Sequence, residues 1–115
     1  MSDKNHNIAI QKGTVTIATS ETTVAGTVTL PELNGQAQHV TFSTPNMEAT
    51  NSTRLQVVTT EAPAGTVFDS GTKAESSAFS IGSTFPLYGT TKIIATAEGT
   101  QAANKAIPFT IYYET

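Results

Sequence analysis

Polar and apolar residues alternate along most of this chain. Residues 14–17, 27–30 and 40–43 each change character at every position. A two-residue period is typical of a β-strand that has one face buried and the other in water. Threonine accounts for 22 of the 115 residues, and its stiff β-branched side chain favours an extended backbone. The pattern therefore predicts sheet structure, and no stretch of a dozen residues has the 3.6-residue period of a helix.

Turn-forming residues divide the chain into short predicted strands. We expect strands near residues 14–19, 24–30, 38–43, 54–60, 66–70, 77–81, 91–98 and 106–114, and residues 8–10 are either a short first strand or the end of an arm. Seven to nine short strands at this spacing are typical of a sandwich or a small barrel. We predict an all-β fold over residues 8–115, a single two-layer, mostly antiparallel β-sandwich domain of the jelly-roll or immunoglobulin-like type. Residues 1–7 are predicted to be a flexible polar arm.

The connections give more specific expectations. Residues 54–60 and 66–70 are predicted to form one hairpin, because a short loop with Pro and Gly joins them. Residues 92–98 and 107–114 are predicted to form a second hairpin around a longer loop. Pro108 has no N–H to donate, which places it at a sheet edge or a bulge. The strand-free residues 47–53 suit a crossing between the two sheets.

The composition excludes several classes of partner. Charged residues make up 13% of the chain and the formal net charge is −3, whereas nucleic acid binding needs a basic stripe. No apolar run approaches the roughly 18 residues that span a bilayer. Residues 1–7 lack the apolar segment of a secretory signal. We therefore expect a protein that is made in the cytoplasm, is not secreted, and binds neither nucleic acid nor membrane.

The sequence offers little for catalysis or metal binding. His6 and His39 are the two histidines, and cysteine is absent, so metal ligands would have to come from distant loops. Serine and threonine are abundant, but bases are scarce and a Gly-x-Ser-x-Gly motif is absent. We expect no catalytic residue, no metal and no cofactor. A small hydrolase on a sandwich scaffold is the least favoured of three hypotheses for the function.

The aromatic residues are the best candidates for an interaction surface. Adjacent residues of a strand point to opposite faces, so Tyr112 and Tyr113 cannot both lie in the core. Exposed tyrosine is a favoured interface residue. Residues 85–89 (FPLYG) are too apolar for an ordinary exposed loop, and they either plug the end of the sandwich or form a contact loop. The candidate interface residues are Phe85, Leu87, Tyr88 and Tyr112.

The second half of the chain, about residues 53–114, has a pattern seen elsewhere. After residues 55–58 (LQVV), residues 65–71 (GTVFDSG) end in a hydrophobic-Asp-Ser-Gly turn, and residues 86–93 (PLYGTTKI) lead toward an aromatic-rich last strand. This arrangement resembles small β-sandwich proteins encoded among the head genes of tailed phages. The resemblance implies a virion accessory protein that decorates the capsid in many copies. It also implies binding to the major capsid protein lattice without catalysis, and homotrimers at local threefold points.

The leading hypothesis is therefore a non-catalytic structural virion protein that binds the outer surface of a phage capsid. The second hypothesis is an adhesin-like or carbohydrate-binding β-sandwich module that uses loop tips such as residues 85–89. Capsid binding predicts tight association with assembled shells, whereas a glycan-binding module predicts saturable binding to sugars.

Overall fold

A computed structural model describes residues 7–60 and 65–115 of the chain, and these residues form six β-strands. The strands are β1 (Ile8–Ile17), β2 (Ala25–Ser43), β3 (Thr53–Thr59), β4 (Gly65–Asp69), β5 (Ala78–Ala97) and β6 (Lys105–Glu114), and one short 3-10 turn covers Glu48–Thr50. Every strand pair is antiparallel, so the predicted all-β, antiparallel fold class is confirmed. Within the described residues, no helix has the length and apolar character needed to cross a membrane.

The six strands form one hydrogen-bonded sheet in the order β1-β6-β2-β5-β3-β4. The two longest strands, β2 and β5, pair with each other along most of their length. Each of them also pairs with one further strand, but over only part of its length. β6 pairs with residues 36–42 of β2, whereas β3 pairs with residues 91–97 of β5. The sheet therefore divides into a β6 layer (β1, β6, the second half of β2, the first half of β5) and a β3 layer (the first half of β2, the second half of β5, β3, β4).

The two layers face each other across the core. Phe68 on β4 contacts Phe85 in the first half of β5, with ring centroids 5.4 Å apart, although these segments belong to different layers. The molecule measures 54 × 26 × 19 Å, and its smallest dimension suits two sheets packed about 10 Å apart. The largest side chains that are fully buried between the layers include Ile17, Leu55, Leu87, Ile93, Ile107 and Ile111.

The structure has six strands rather than seven to nine because predicted strands are joined. Predicted strands 24–30 and 38–43 are parts of β2, and predicted strands 77–81 and 91–98 are parts of β5. Register shifts between Leu30 and Leu33 and between Ala37 and His39 interrupt the β2–β5 ladder. Such irregularities let a strand bend without ending, so the turn-forming residues in this segment do not make a turn.

The β3–β4 hairpin is confirmed by its pairing, and its loop, residues 61–64, lies outside the described residues. The second predicted hairpin is wrong, because residues 91–97 pair with β2 and β3 while β6 pairs with β1 and β2. Pro108 pairs with β1, but the β2 ladder begins at Phe109. Pro108 therefore lies at a local sheet edge, as predicted from its missing N–H.

The crossing between layers is confirmed for the segment that joins β2 to β3. β2 ends in the β6 layer and β3 begins in the β3 layer. The buried Gln101 side chain holds this segment, since its Oε1 accepts a hydrogen bond from the Glu48 backbone N–H at 2.7 Å and its Nε2 donates to the Gly99 carbonyl at 2.9 Å.

The start of the chain differs from the prediction at one residue that the structure describes. β1 already begins at Ile8, and the Asn7 carbonyl accepts a hydrogen bond from the Thr115 backbone N–H at 3.1 Å. Asn7 therefore extends the β1–β6 pairing. The rest of the predicted arm, residues 1–6, lies outside the described residues.

Within residues 7–60 and 65–115, two buried threonine hydroxyls of the core, those of Thr53 and Thr91, have no hydrogen-bond partner. Substitution Thr53→Val removes one unpaired hydroxyl and nearly preserves the shape of the side chain. We expect it to raise the free energy of unfolding by about 1 kcal/mol, because an unpaired buried hydroxyl is costly. Urea denaturation followed by circular dichroism measures the change.

The matched control for this prediction is Thr44→Val. The Thr44 hydroxyl donates to the Ala74 carbonyl at 2.7 Å and accepts from the Ser77 backbone N–H at 3.1 Å, so this variant should lose about 1 kcal/mol of stability. Equal losses in both variants would contradict the assignment of Thr53 as an unpaired hydroxyl.

Candidate functional site

Three large apolar side chains of the described residues are strongly exposed, and all three lie on one face of the molecule. Their exposed fractions are 59% for Ile8, 53% for Ile10 and 46% for Tyr88. Strand alternation explains their position, since Ile17 on β1 and Leu87 on β5 face the core. The three side chains therefore lie on the outer face of the β6 layer.

Cross-strand pairing places a first row of residues across this face. Ile8 is paired with Glu114, Glu114 with Gln36, and Gln36 with Pro86. Directly opposed side chains have Cβ atoms about 4.5–5.5 Å apart. The row therefore forms a continuous strip over four strands, and Tyr88 lies two residues beyond Pro86 on the same face.

A second row lies beside the first. Ile10 is paired with Tyr112, and Tyr112 with His39. The Tyr112 and His39 rings meet edge to face, with centroids 6.0 Å apart and an interplanar angle of 65°. The His39 Nε2 atom also contacts the Ser80 hydroxyl. Because each ring is held by its neighbour, this row is a preorganised surface. The two rows and Tyr88 are hereafter the platform, whose residues are Ile8, Ile10, Gln36, His39, Pro86, Tyr88, Tyr112 and Glu114.

One end of the platform contains an open depression of about 370 Å³. It is lined by Gly35, Gln36, Pro86, Tyr88, Glu114 and Thr115. A Cβ atom at Gly35 would lie 2.2 Å from the Glu114 carbonyl oxygen, so glycine is what lets the end of β6 approach β2 so closely. The depression is larger than two other surface depressions, of about 250 Å³ beside Phe79 and about 180 Å³ beside Arg54.

The polar groups of the depression are only partly engaged within the protein. Glu114 Oε1 accepts a hydrogen bond from Gln38 Nε2 at 3.2 Å, which orients the carboxylate. Among the described residues, the Gln36 side chain and the Tyr88 hydroxyl have no hydrogen-bond partner. The Gln36 carboxamide and the Tyr88 hydroxyl can therefore bind a ligand without breaking a hydrogen bond among the described residues.

The structure separates the four predicted interface residues into two pairs. Tyr88 is exposed and Tyr112 is half-buried on the platform, so both remain candidates. Phe85 is 3% exposed and Leu87 is fully buried, so neither side chain is available for an intermolecular contact. Residues 85–89 were predicted either to plug the end of the sandwich or to form a contact loop. They are instead part of strand β5, in which Phe85 and Leu87 point into the core and Tyr88 points to the surface.

The sequence analysis missed Ile8, Ile10, Gln36 and Glu114. The first two carried a readable signal, because Ile8 and Ile10 occupy even positions of a strand whose buried residues, Val15 and Ile17, occupy odd positions. Apolar residues with opposite parity in one unbroken strand must lie on opposite faces. For Gln36 and Glu114, no comparable signal exists, because only the pairing of β6 with β2 brings them together.

The contacts of His39 and the placement of potential metal ligands define the chemistry available on the platform. In the described part of the chain, no group of three or more His, Cys, Asp or Glu side chains is placed to hold a metal ion. His39 and Ser80 touch, but a nucleophilic serine also needs the imidazole to be oriented by a third group such as a carboxylate. In the described ranges, His39 contacts Tyr112 and Ser80 instead.

Comparisons with known proteins found solved structures with low sequence identity to this chain. No protein-family model matches the chain, and no curated protein matches it. A solved structure described as "CBM4 structure and function" is 17% identical, with 89% of this chain and 82% of that chain covered and a TM-score of 0.44. The Yersinia pseudotuberculosis-derived mitogen is 8% identical, with 94% and 86% covered and a TM-score of 0.45. At these identities and TM-scores, neither likeness bears on what this chain binds.

Proposed function

We propose that this chain is a non-catalytic structural protein of a tailed-phage head that binds the outer surface of the capsid through the platform. The observation that carries the proposal is the grouping of Ile8, Ile10 and Tyr88, the most exposed large apolar side chains of the described residues, on one face of a sheet. The resemblance of residues 53–114 to phage head proteins supplies the partner, which is the lattice of the major capsid protein.

The chemistry of the platform supports a protein partner. The cores of protein interfaces are depleted of charge and enriched in tyrosine, and Glu114 is the one acidic or basic residue among the eight platform residues apart from His39. A modest contact at each site suffices when many copies bind a repeating lattice. Homotrimers at local threefold points, which the resemblance implies, would add to this multivalency.

The test is a double variant, Ile8→Asp with Ile10→Asp, added to purified capsids that lack this protein. We expect binding to weaken by at least about tenfold, because two carboxylates would be buried without partners in the contact. The melting temperature should change little, since both side chains are already exposed. Co-sedimentation with capsids over a range of protein concentrations measures the binding.

The matched control is Thr27→Asp with Thr29→Asp, which adds the same charges to exposed positions on the β3 layer. This control should bind capsids as the wild-type chain does. Equal weakening by the two double variants would exclude the platform as the docking face. A wild-type chain that does not co-sediment with capsids would exclude the capsid role itself.

A carbohydrate-binding module is the second candidate function. The observation that favours it is the depression beside the exposed Tyr88 ring, with an unengaged amide from Gln36 at its wall. The two functions separate experimentally, because a carbohydrate-binding module should bind soluble oligosaccharides saturably in the absence of any capsid.

A further inference from the structure

We propose that the depression beside Tyr88 is a binding site for a neutral pyranose sugar. The inference rests on the carbohydrate-binding candidate above. It is tested separately from capsid docking, because a sugar titration contains no capsid. It adds a defined site, a ligand class and a charge preference to that candidate.

The floor of the depression offers a surface on which a sugar ring can stack. Tyr88 is 46% exposed, and its position is fixed because β5 continues on both sides of it within the sheet. Pro86 lies two residues away on the same face, which corresponds to about 7 Å along a strand. The negative face of an aromatic ring attracts the polarised C–H groups that a pyranose presents on its apolar side.

The walls of the depression offer groups that match sugar hydroxyls. A hydroxyl both donates and accepts, a carboxamide supplies both kinds of partner, and a carboxylate accepts several hydrogen bonds. Gln36 supplies the carboxamide, and Glu114 supplies a carboxylate already oriented by Gln38. Asn34 is exposed directly opposite Tyr88 in the β2–β5 ladder and adds a second amide at the rim.

The size of the site limits the length of the ligand that it holds. Its volume of about 370 Å³ is near the lower end of ligand sites, which span about 300–1,000 Å³. The depression is open on one side, so a sugar chain can extend beyond it over the platform. One sugar ring should therefore contribute most of the contact, and affinity should increase little with chain length.

The charge of the site selects against acidic sugars. The described residues that line the depression include no lysine or arginine, and the whole chain carries a formal charge of −3. The carboxylate of a uronic or sialic acid would therefore lose water at this site without gaining a cationic partner from the lining, and removing an unpaired charge from water is costly. Neutral hexoses and N-acetylhexosamines avoid that cost.

The test is an NMR titration of the ¹⁵N-labelled full chain with cellohexaose, maltohexaose, N-acetylchitohexaose and, as the acidic probe, hexagalacturonate. We expect at least one neutral oligosaccharide to shift the amide resonances of Gln36, Tyr88 and Glu114, with a Kd of about 0.1–1 mM. Hexagalacturonate should bind at least about tenfold more weakly than that sugar.

Variants of the two platform tyrosines distinguish stacking from a general surface effect. Tyr88→Ala should weaken binding by about tenfold, whereas Tyr88→Phe, which keeps the ring, should bind within about threefold of the wild type. Tyr112→Ala, on the same face but outside the depression, should bind sugars as the wild type does. The Ile8→Asp, Ile10→Asp chain should lose capsid binding but keep sugar binding.

The inference is overturned if none of the three neutral oligosaccharides shifts these resonances, or if Tyr88→Ala binds as tightly as the wild type. Either result would leave the capsid proposal unaffected, because capsid co-sedimentation measures that function separately. Conversely, a chain that binds sugars but not capsids would retain this site and lose the first proposed function.

Discussion

Substitution Leu87→Ala should lower the free energy of unfolding by about 2–5 kcal/mol, the usual cost of truncating a buried leucine. Leu87 is fully buried between the layers. The alanine side chain buries less apolar surface on folding. The substitution also leaves a cavity that the surrounding side chains fill only in part. Urea denaturation followed by far-ultraviolet circular dichroism measures the loss.

The adjacent residue provides the control. Tyr88→Ala should change the stability by no more than about 0.5 kcal/mol, because its side chain lies outside the core on the platform. Comparable losses in the two variants would show that residues 85–88 do not alternate between core and surface. A stable Tyr88→Ala chain is also what the sugar-binding comparison requires.

Substitution Gly26→Ala should destabilise the protein by about 2–3 kcal/mol, through overpacking. A Cβ atom at Gly26 would lie 1.9 Å from the Thr16 carbonyl oxygen and 3.2 Å from the Ile17 Cα atom. Both atoms belong to the backbone of β1, so no side-chain rotation relieves the clash and the strand itself must move. Thermal and urea unfolding should both report the loss.

Gly82→Ala is the matched control, since Gly82 is also a glycine inside a long strand. Its nearest neighbour for a Cβ atom is the His39 Nδ1 atom at 3.8 Å, which is an ordinary contact. Glycine in a strand interior costs about 0.5–1 kcal/mol relative to alanine, so this variant should be as stable as the wild type or slightly more stable. A stability loss at Gly82 equal to that at Gly26 would show that β1 does not pack against the start of β2 as described.

Local pattern predicted the strands of this protein but not the choice of strand partners. The alternation in residues 27–30 and 40–43 is local, and both segments are indeed extended. The two segments form one strand because the register of the β2–β5 ladder shifts between Leu30 and Leu33. Pro31 lies within this irregularity, so the strand continues past it. The hairpin expected between β5 and β6 failed for the same reason, because the partner of each strand is distant in sequence.

The candidate site was predictable to the extent that single strands determine it. Tyr88 and Tyr112 were recognisable as aromatic residues without an obvious place in the core. Gln36 and Glu114 are far apart in sequence and meet only because β6 lies against the second half of β2. The residues of this site come from four strands and lie on the same face of the sheet, but they are not close together in the sequence. No sequence motif therefore marks the site.

The pairing of β1 with β6 has a mechanical consequence. Asn7 and Thr115 are hydrogen-bonded neighbours at one end of an antiparallel pair, whose hydrogen bonds run perpendicular to the strands. A tension applied between these two residues would act along the hydrogen bonds and break them one after another, starting at this end. It would not shear all of them at the same time. The β1–β6 pair should therefore separate at low force when tension is applied between Asn7 and Thr115.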